Sequence, residues 1–576
     1  MSRSIAYISE RHMRQRTARY AAAFSLAAAS LITVQGSPSA YAGTNPVEIT
    51  LTLAAPNPTA LAALAADTTG SVSERRAKLA TLLPSAATHI SVAHMLTSQG
   101  FRVLEESSWT MTVSAPQNLV TALFGLLPIN PTTLTQALAP YPRVPTALAG
   151  LVRLANPTTT SVPAWHSSVV RAASPYDLRN AYTAPRVPPG AGNSRNGPLT
   201  VATIQFSDWN QNDLSRYAAR MGRPDPVATR QLRTVRVDGG ATDSNGQVEV
   251  GLDQEAILGV SPYSAQQLYS APNSNAGFND AFSAVLDDVL GNSHARVRNP
   301  RIAALSTSWG GCESATGISN IQAVQPILQS LVAAGVNIFA PAGDIGIYDC
   351  DNGGSGGGLL GGGLLGGPGP SAAVDFPASS PYVIGVGGTR LASATTSRVA
   401  NSGSNWTETA WSCTSQSTCT GQGGTGGGQS TVFGTPAYQR IYVTAAPFAG
   451  RGRRLVPDIA ADADPATGLL ITTSDPAANS NGQLLVGGTS LATPVSAALF
   501  VDLLASLGRT RGVPDLHGGI YKAAAAKKFV RDVRSGSNGA AADAGNDPRV
   551  TAGIGYDTLT GVGSILWSGM AAYLPR

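Results

Sequence analysis

Ser490 follows Gly487, Gly488 and Thr489 in the stretch LLVGGTSLATP, Leu484 to Pro494. That is the setting of a nucleophile at the start of a helix. The two glycines admit close approach of another chain, and Val495, Ala498, Leu499 and Val501 suit a buried helix with Pro494 in its first turn. A hydroxyl there has backbone N–H groups and the positive end of the helix dipole nearby, which suits a developing oxyanion. The plainer alternative is an ordinary N-cap serine. A serine hydroxyl reacts only when a neighbouring base takes its proton, and histidine is the usual base. His12, His89, His94 and His166 precede the second half of the chain, while His294 and His517 sit in stretches that read as surface. The base must be another group.

VEVGLDQEAIL supplies the candidates. Glu249 and Asp253 are one helical turn apart, so both carboxylates project from one face, with Glu255 off it. Like charges at that spacing destabilise a helix by about 0.2 to 0.5 kcal/mol when both are ionised. A pair that shares one proton avoids this, has one apparent pKa raised, and can take a proton from serine. On an exposed face the same two acids would simply be solvated. Asp344, in APAGDIG at the end of the apolar run VNIFA, is the third carboxyl. Protonated, it could donate a hydrogen bond to an oxyanion, whereas a plain Gly-Asp turn would leave it structural.

Such residues need rigid supports. From Leu199 onward short apolar runs alternate with helical patterns: LTVATIQF, LSRYAARMG, VEVGLDQEAILGV, FNDAFSAVLDDVLG, RIAALSTSW, IQAVQPILQSLVAAG and VNIFAPAGD. The alternation predicts an α/β domain with a mainly parallel sheet and helices on its faces, where ligands gather at the carboxyl ends of strands. SWGGCE and APAGDIG fall at such ends. Upstream, VEITLTLAA and WTMTVSAP read as strands and ISVAHMLTSQG as a helix, a small α+β unit over residues 43–165. The Pro-, Ser- and Thr-rich connection that follows is an exposed cleavage region around residues 160–175, and the domain beyond it spans 166–576. Gly353 to Pro370 is a low-complexity insertion.

Of the 576 residues 43% are hydrophobic and 13% charged, enough for two packed units. The formal charge is +5, but +4 of it lies in residues 1–42, where Arg3, Arg11, Arg14, Arg16 and Arg19 face Glu10 alone. The remainder is nearly neutral and has no basic run interleaved with aromatics, which excludes a nucleic-acid binder. The basic start, the apolar run AAAFSLAAASLITV and the small residues Ala40 and Ala42 read as a secretory signal peptide over 1–42. That run is shorter than the about 20 apolar residues of a membrane span. Export to the periplasm or the medium suits the four cysteines, which lack CxxC metal spacing. Pairs 312–350 and 413–419 are expected, with free thiols as the alternative, since sequence does not fix connectivity.

Taken in order, SPYDLRNAY, EVGLD, STSWGG, APAGDIG, DFPASSPYVIGVGGT, GGGQSTVF, VPDIAADADPATG, GGTSLATP and GIGYDTLTGVGS resemble the sedolisins. These serine-carboxyl peptidases have a subtilisin-like fold and a glutamate base. The resemblance implies an activation prodomain over 43–165 that inhibits a peptidase domain over 166–576. Glu249 would be general base and acid for Ser490, Asp253 would orient and polarise Glu249, and Asp344 would complete the oxyanion hole beside the Ser490 N–H. The resemblance also implies one structural Ca²⁺, held by the carboxylates of Asp532 and Asp557 and the backbone oxygens of Val533, Gly553 and Gly555. Hard oxygen donors with glycines at the turns are what Ca²⁺ takes; the plainer reading is two turns with solvated aspartates.

The expected product is therefore a secreted, self-activating, acid-active endopeptidase. It would be a monomer acting on protein or peptide substrates, with no nucleic-acid partner and no membrane attachment once the signal is removed. SWGG and GGGQS resemble edges that pair with an extended peptide. The chain departs from the family in the long stretch between Asp532 and Gly553 and in the Gly353 to Pro370 insertion. Where some relatives extend the relay with a glutamate on the first helix of the catalytic domain, it has NQND, Asn210 to Asp213. A subtilisin-type triad would need a histidine in an HGT-like stretch, and none exists. A binding protein on a decayed peptidase fold could lose the serine or a carboxyl, and all four are present.

Overall fold

Two sheets organise the chain. The computed structural model describes residues 46–125, 143–157, 172–188, 197–350, 374–393, 406–444, 452–540 and 548–575. The expected signal peptide, the Gly353 to Pro370 insertion and most of the connection after Pro157 lie outside them. From Asn45 on, the chain forms one compact unit.

In the smaller, antiparallel sheet Val47–Leu53 pairs with Thr110–Ala115 on one side and Val152–Pro157 on the other, and Arg102–Glu106 flanks Thr110–Ala115. The two-residue period of a strand gives this sheet two characters. Ile49, Leu51, Met111 and Val113 close over Val92, Leu96 and Phe124 from its own helices. Thr50, Thr52 and Thr112 point the other way, onto the Asn275–Leu290 helix: Asn279 donates to Thr52 at 3.1 Å, and Thr50 and Thr112 donate to Asp280.

The larger sheet has ten strands. Their order is Val530–Arg531, Ser564–Ile565, Ile459–Asp462, Val383–Ser393, Asn337–Pro341, Ile302–Thr307, Thr200–Gln205, Ala265–Ser270 and Leu232–Arg236, with Trp406–Ala410 pairing alongside Val383–Ser393. Among the described residues of this sheet, only the Trp406–Ala410 pairing and that of Val530–Arg531 with Ser564–Ile565 are antiparallel. Helices cover both faces, which is why Thr200–Gln205 and Ile302–Thr307 are buried at every residue. This is the subtilisin-like α/β fold expected, preceded by an α+β layer.

Two helices matter for the site. The central helix, Thr489–Ser506, is apolar and long enough to cross a membrane, but it is buried almost throughout and forms the core of one face. Pro494 is its sixth residue, beyond the first turn where it was expected. The carboxylate helix, Gln247–Val260, is buried from Val248 to Val260. Its acids are therefore not the solvated face that the sequence left open. Both expected disulfides are closed, Cys312–Cys350 with Cα atoms 5.4 Å apart and Cys413–Cys419 at 4.9 Å.

Candidate active site

Ser490, Glu249, Asp253 and Asp344 converge where the central helix starts. Ser490 is the second residue of that helix and Asp344 follows the strand Asn337–Pro341; both are partly exposed. Glu249 and Asp253 lie behind them, fully buried.

Each oxygen of Asp253 accepts from a neutral donor. Gln205 Nε2 donates to Oδ2 at 2.6 Å and Ser308 Oγ to Oδ1 at 2.6 Å. Trp309 Nε1 donates to Gln205 Oε1 at 2.8 Å, which fixes the way the amide faces. Burial nevertheless pushes the Asp253 carboxyl up to about 7, with both donors opposing the shift. Glu249 is pushed well above the usual carboxylate range, first by burial and then by the charge of Asp253. The hydroxyls of Ser490 and Ser308 face Glu249 and favour its charged form. Neither closes a hydrogen bond of ordinary geometry, so both Glu249 oxygens are buried without a partner. Contacts of this kind tighten when a substrate arrives.

Asp344 is tied to the residue before Ser490. Thr489 donates from N at 2.8 Å and from Oγ1 at 2.6 Å, both to Oδ1. Burial raises this carboxyl and the Thr489 bonds hold it back. The other oxygen, Oδ2, lies 2.6 Å from where a Cβ on Gly488 would sit, and Gly488 has φ +100°. Only glycine meets both demands. Two further half-buried acids stand near Asp344. Asp375 is raised to about 7 by burial, Asp344 and Glu313, and Asp349 is raised well above the usual carboxylate range by burial, Asp375 and Asp344.

Among the described residues no histidine joins the cluster. His89 stacks on His294 at 5.5 Å, and His517 lies against the Val383 carbonyl at 3.1 Å beside Asp458. His294 and His517 are thus half-buried packing groups where a surface position was expected. NQND does not extend the relay either: Asp213 accepts from Ser474 N at 2.7 Å and from Arg216 at 2.6 Å. The place behind Asp253 belongs to Gln205, an amide, so no carboxyl follows Asp253 there. Gln205, Ser308, Trp309 and Thr489 were not singled out from sequence. Each lies within a patterned stretch, Ser308 and Trp309 in STSWGG, Thr489 in GGTSLATP and Gln205 in LTVATIQF, but none of those patterns marks the residue as a partner of an acid.

The loops expected to hold a cation meet, since Gly555 N donates to Asp532 Oδ1 at 3.0 Å. Asp557 is buried and accepts from Gly553 N at 3.0 Å. The backbone oxygens of Val533, Gly553 and Gly555 accept no backbone hydrogen bond among the described residues. Two carboxylates and three such carbonyls form an all-oxygen set that fits Ca²⁺ in donor type. Arg534 Nε competes for Asp532 Oδ2 at 2.7 Å.

Residues 257–508 match the subtilase family. Kumamolisin from Bacillus sp. (strain MN-32) is 32% identical over 408 residues, 69% of this chain and 63% of that protein. Sedolisin from Pseudomonas sp. (strain 101) is 32% identical over 411 residues, 70% of this chain and 61% of that protein. The structure of Pseudomonas sedolisin, a serine-carboxyl proteinase complexed with two molecules of pseudo-iodotyrostatin, superposes with a TM-score of 0.55 at 30% identity, covering 70% of this chain and 98% of that one. The chain belongs to the sedolisin family. This sedolisin-family chain spans about three fifths of the length of those two curated relatives.

Proposed function

We propose that the chain is a secreted serine-carboxyl endopeptidase, made as a zymogen and active in mild acid. The observation that carries this reading is a partly exposed Ser490 facing buried Glu249, with Asp253 one turn behind and no histidine in the cluster among the described residues.

Ser490 Oγ attacks the carbonyl carbon of the scissile peptide while its proton passes to Glu249. The oxyanion is met by the Ser490 N–H and by protonated Asp344. Glu249 then returns the proton to the leaving amine, and water releases the acyl-enzyme by the same steps. Asp344 must hold a proton while the Glu249–Asp253 pair must be able to accept one. Burial raises all three, and the charges of Asp253 and Asp344 raise Glu249 further, which lifts the working window from the ordinary carboxylate range into mild acid. Brief incubation with a slow ester substrate at acid pH, followed by peptide mapping, tests the reading. The acyl group is expected on the peptide containing Ser490, and its appearance on any other residue contradicts the mechanism.

Residues 43–165 are assigned as the activation prodomain and 166–576 as the peptidase domain. Support comes from the way the small sheet docks on the Asn275–Leu290 helix through Asp280 and Asp287. The Glu105–Arg296 ion pair and the stacked His89 and His294 cross this contact. Ala173 bridges to Leu469 and Ser174 caps the next helix, so the cut belongs upstream of Ala173, within the expected 160–175 region. Amino-terminal sequencing of acid-matured protein tests it; an active species with residues 158–172 intact refutes it. One structural Ca²⁺ is proposed at Asp532, Val533, Gly553, Gly555 and Asp557, where it would lock the two loops together. Protein or peptide substrates and a monomeric enzyme complete the proposal.

A further inference from the structure

Pro494 leaves a gap in the central helix. The N–H of its sixth residue would bond the carbonyl four residues back, that of Ser490, and proline has no N–H. Ser308 Oγ lies 3.2 Å from this carbonyl oxygen, and the same Oγ lies 2.6 Å from Asp253 Oδ1. A hydroxyl has one hydrogen to give. With Asp253 ionised, that hydrogen goes to Oδ1. With Asp253 protonated, Asp253 donates to Ser308, and the Ser308 hydrogen is released to the Ser490 carbonyl, in competition with the Glu249 carboxyl that this hydroxyl also faces.

We propose that Ser308 is a positioning residue that couples the protonation of Asp253 to the backbone of the nucleophile, filling the position that Pro494 vacates. The inference rests on the reading of Ser490 and Glu249 given above and adds a regulatory link within that site. Around Asp253 the titratable groups are Glu249 on its own helix and, beyond it, Asp344; the strand ends contribute neutral Gln205 and Ser308. Through the switch, a protonated pair is matched with a fully bonded Ser490 backbone. An ionised Asp253 takes the Ser308 hydrogen for itself.

The test uses the mature enzyme with Ser308→Ala, Ser308→Thr, Pro494→Ala and the Ser308→Ala/Pro494→Ala double variant. Ser308→Ala should lower kcat about 10-fold with KM within about 2-fold, since a bond to a charged group is lost. It should also move the acid limb of the pH profile up by about one unit, because Asp253 loses a donor to its charged form. Ser308→Thr keeps the hydroxyl and should restore both. Pro494→Ala gives the Ser490 carbonyl its helical donor, so the kcat loss from Ser308→Ala should shrink in that background while the limb shift remains. An acid limb at the wild-type pH in Ser308→Ala, or equal kcat losses in both backgrounds, overturns the proposal. Should Ser308→Ala not fold, Ser308→Cys, a weaker donor of similar size, is read for the same shift.

The carboxyl ¹³C titration of Asp253, assigned with Asp253→Asn, reads the link without turnover. A higher midpoint in Ser308→Ala supports it and an unchanged one refutes it. A wild type without Ser490-dependent cleavage would instead count against the proposed function, leaving this titration to decide on Ser308.

Discussion

Thr489 holds Asp344 by two hydrogen bonds to one oxygen, 2.8 Å from its N and 2.6 Å from its Oγ1, so the third acid is fastened to the residue preceding Ser490. The tether leaves Oδ2 as the atom that can carry a proton toward an oxyanion. Asp344→Ala should lower kcat on the order of 100-fold to 1000-fold, the range for loss of one oxyanion donor. Asp344→Asn keeps an N–H donor that does not titrate, so it should lose less and retain activity to higher pH. Steady-state kinetics across pH checks both; an alkaline limb unmoved in Asp344→Asn would show that Asp344 does not set it.

Gly488 carries two constraints at once, φ +100° and an Asp344 oxygen 2.6 Å from any added Cβ. Gly488→Ala should cost on the order of 1 to 3 kcal/mol in stability. It should also lower kcat through displaced Asp344. Urea unfolding together with kcat measures the pair, and a variant with wild-type values for both would remove the steric argument.

Poorly solvated acids should give the fold an unusual pH dependence. Asp253 and Asp375 are raised to about 7 and Asp238 to about 9, in each case first by burial. Folded values above the unfolded ones mean that the folded state binds more protons. This contribution is fully present below about pH 4 and is lost as pH rises through 7 to 9. Asp458 acts in the opposite sense: despite its burial, Arg454 and His517 hold it low, so its contribution is present above the unfolded value and disappears in strong acid. The raised groups are more numerous near neutrality, and Tm should be higher at pH 5 than at pH 8. Thermal melts that rank the two the other way would contradict the assignment.

Chelation should lower Tm if the Asp532 and Asp557 loops hold Ca²⁺. Asp532→Ala should lower Tm in calcium buffer and make it insensitive to EGTA. Equal melting of the wild type with calcium and with EGTA would exclude a structural ion.

The strands and helices that carry the site were legible because their patterns are local: VNIFA and RIAALSTSW are continuous apolar runs, and Glu249 and Asp253 share a face by helical spacing. Burial of that face was not legible, since it depends on the central helix packing against it. Gln205 and Ser308 come from the ends of neighbouring strands and meet Asp253 from 48 and 55 residues away, a contact made by sheet order. Pro494 falls beyond the first turn because the helix already begins at Thr489, a boundary the sequence pattern does not fix. His517 looked like a surface group because its partner, Asp458, lies on a different element.

Peptide cleavage measured from pH 3 to 8 with the wild type, Ser490→Ala and Glu249→Ala tests the central claim most directly. The wild type should be fastest below pH 7, and both variants should lose turnover at every pH. A maximum at pH 8, or a Glu249→Ala enzyme that cleaves as well as the wild type, would contradict a carboxyl base for Ser490.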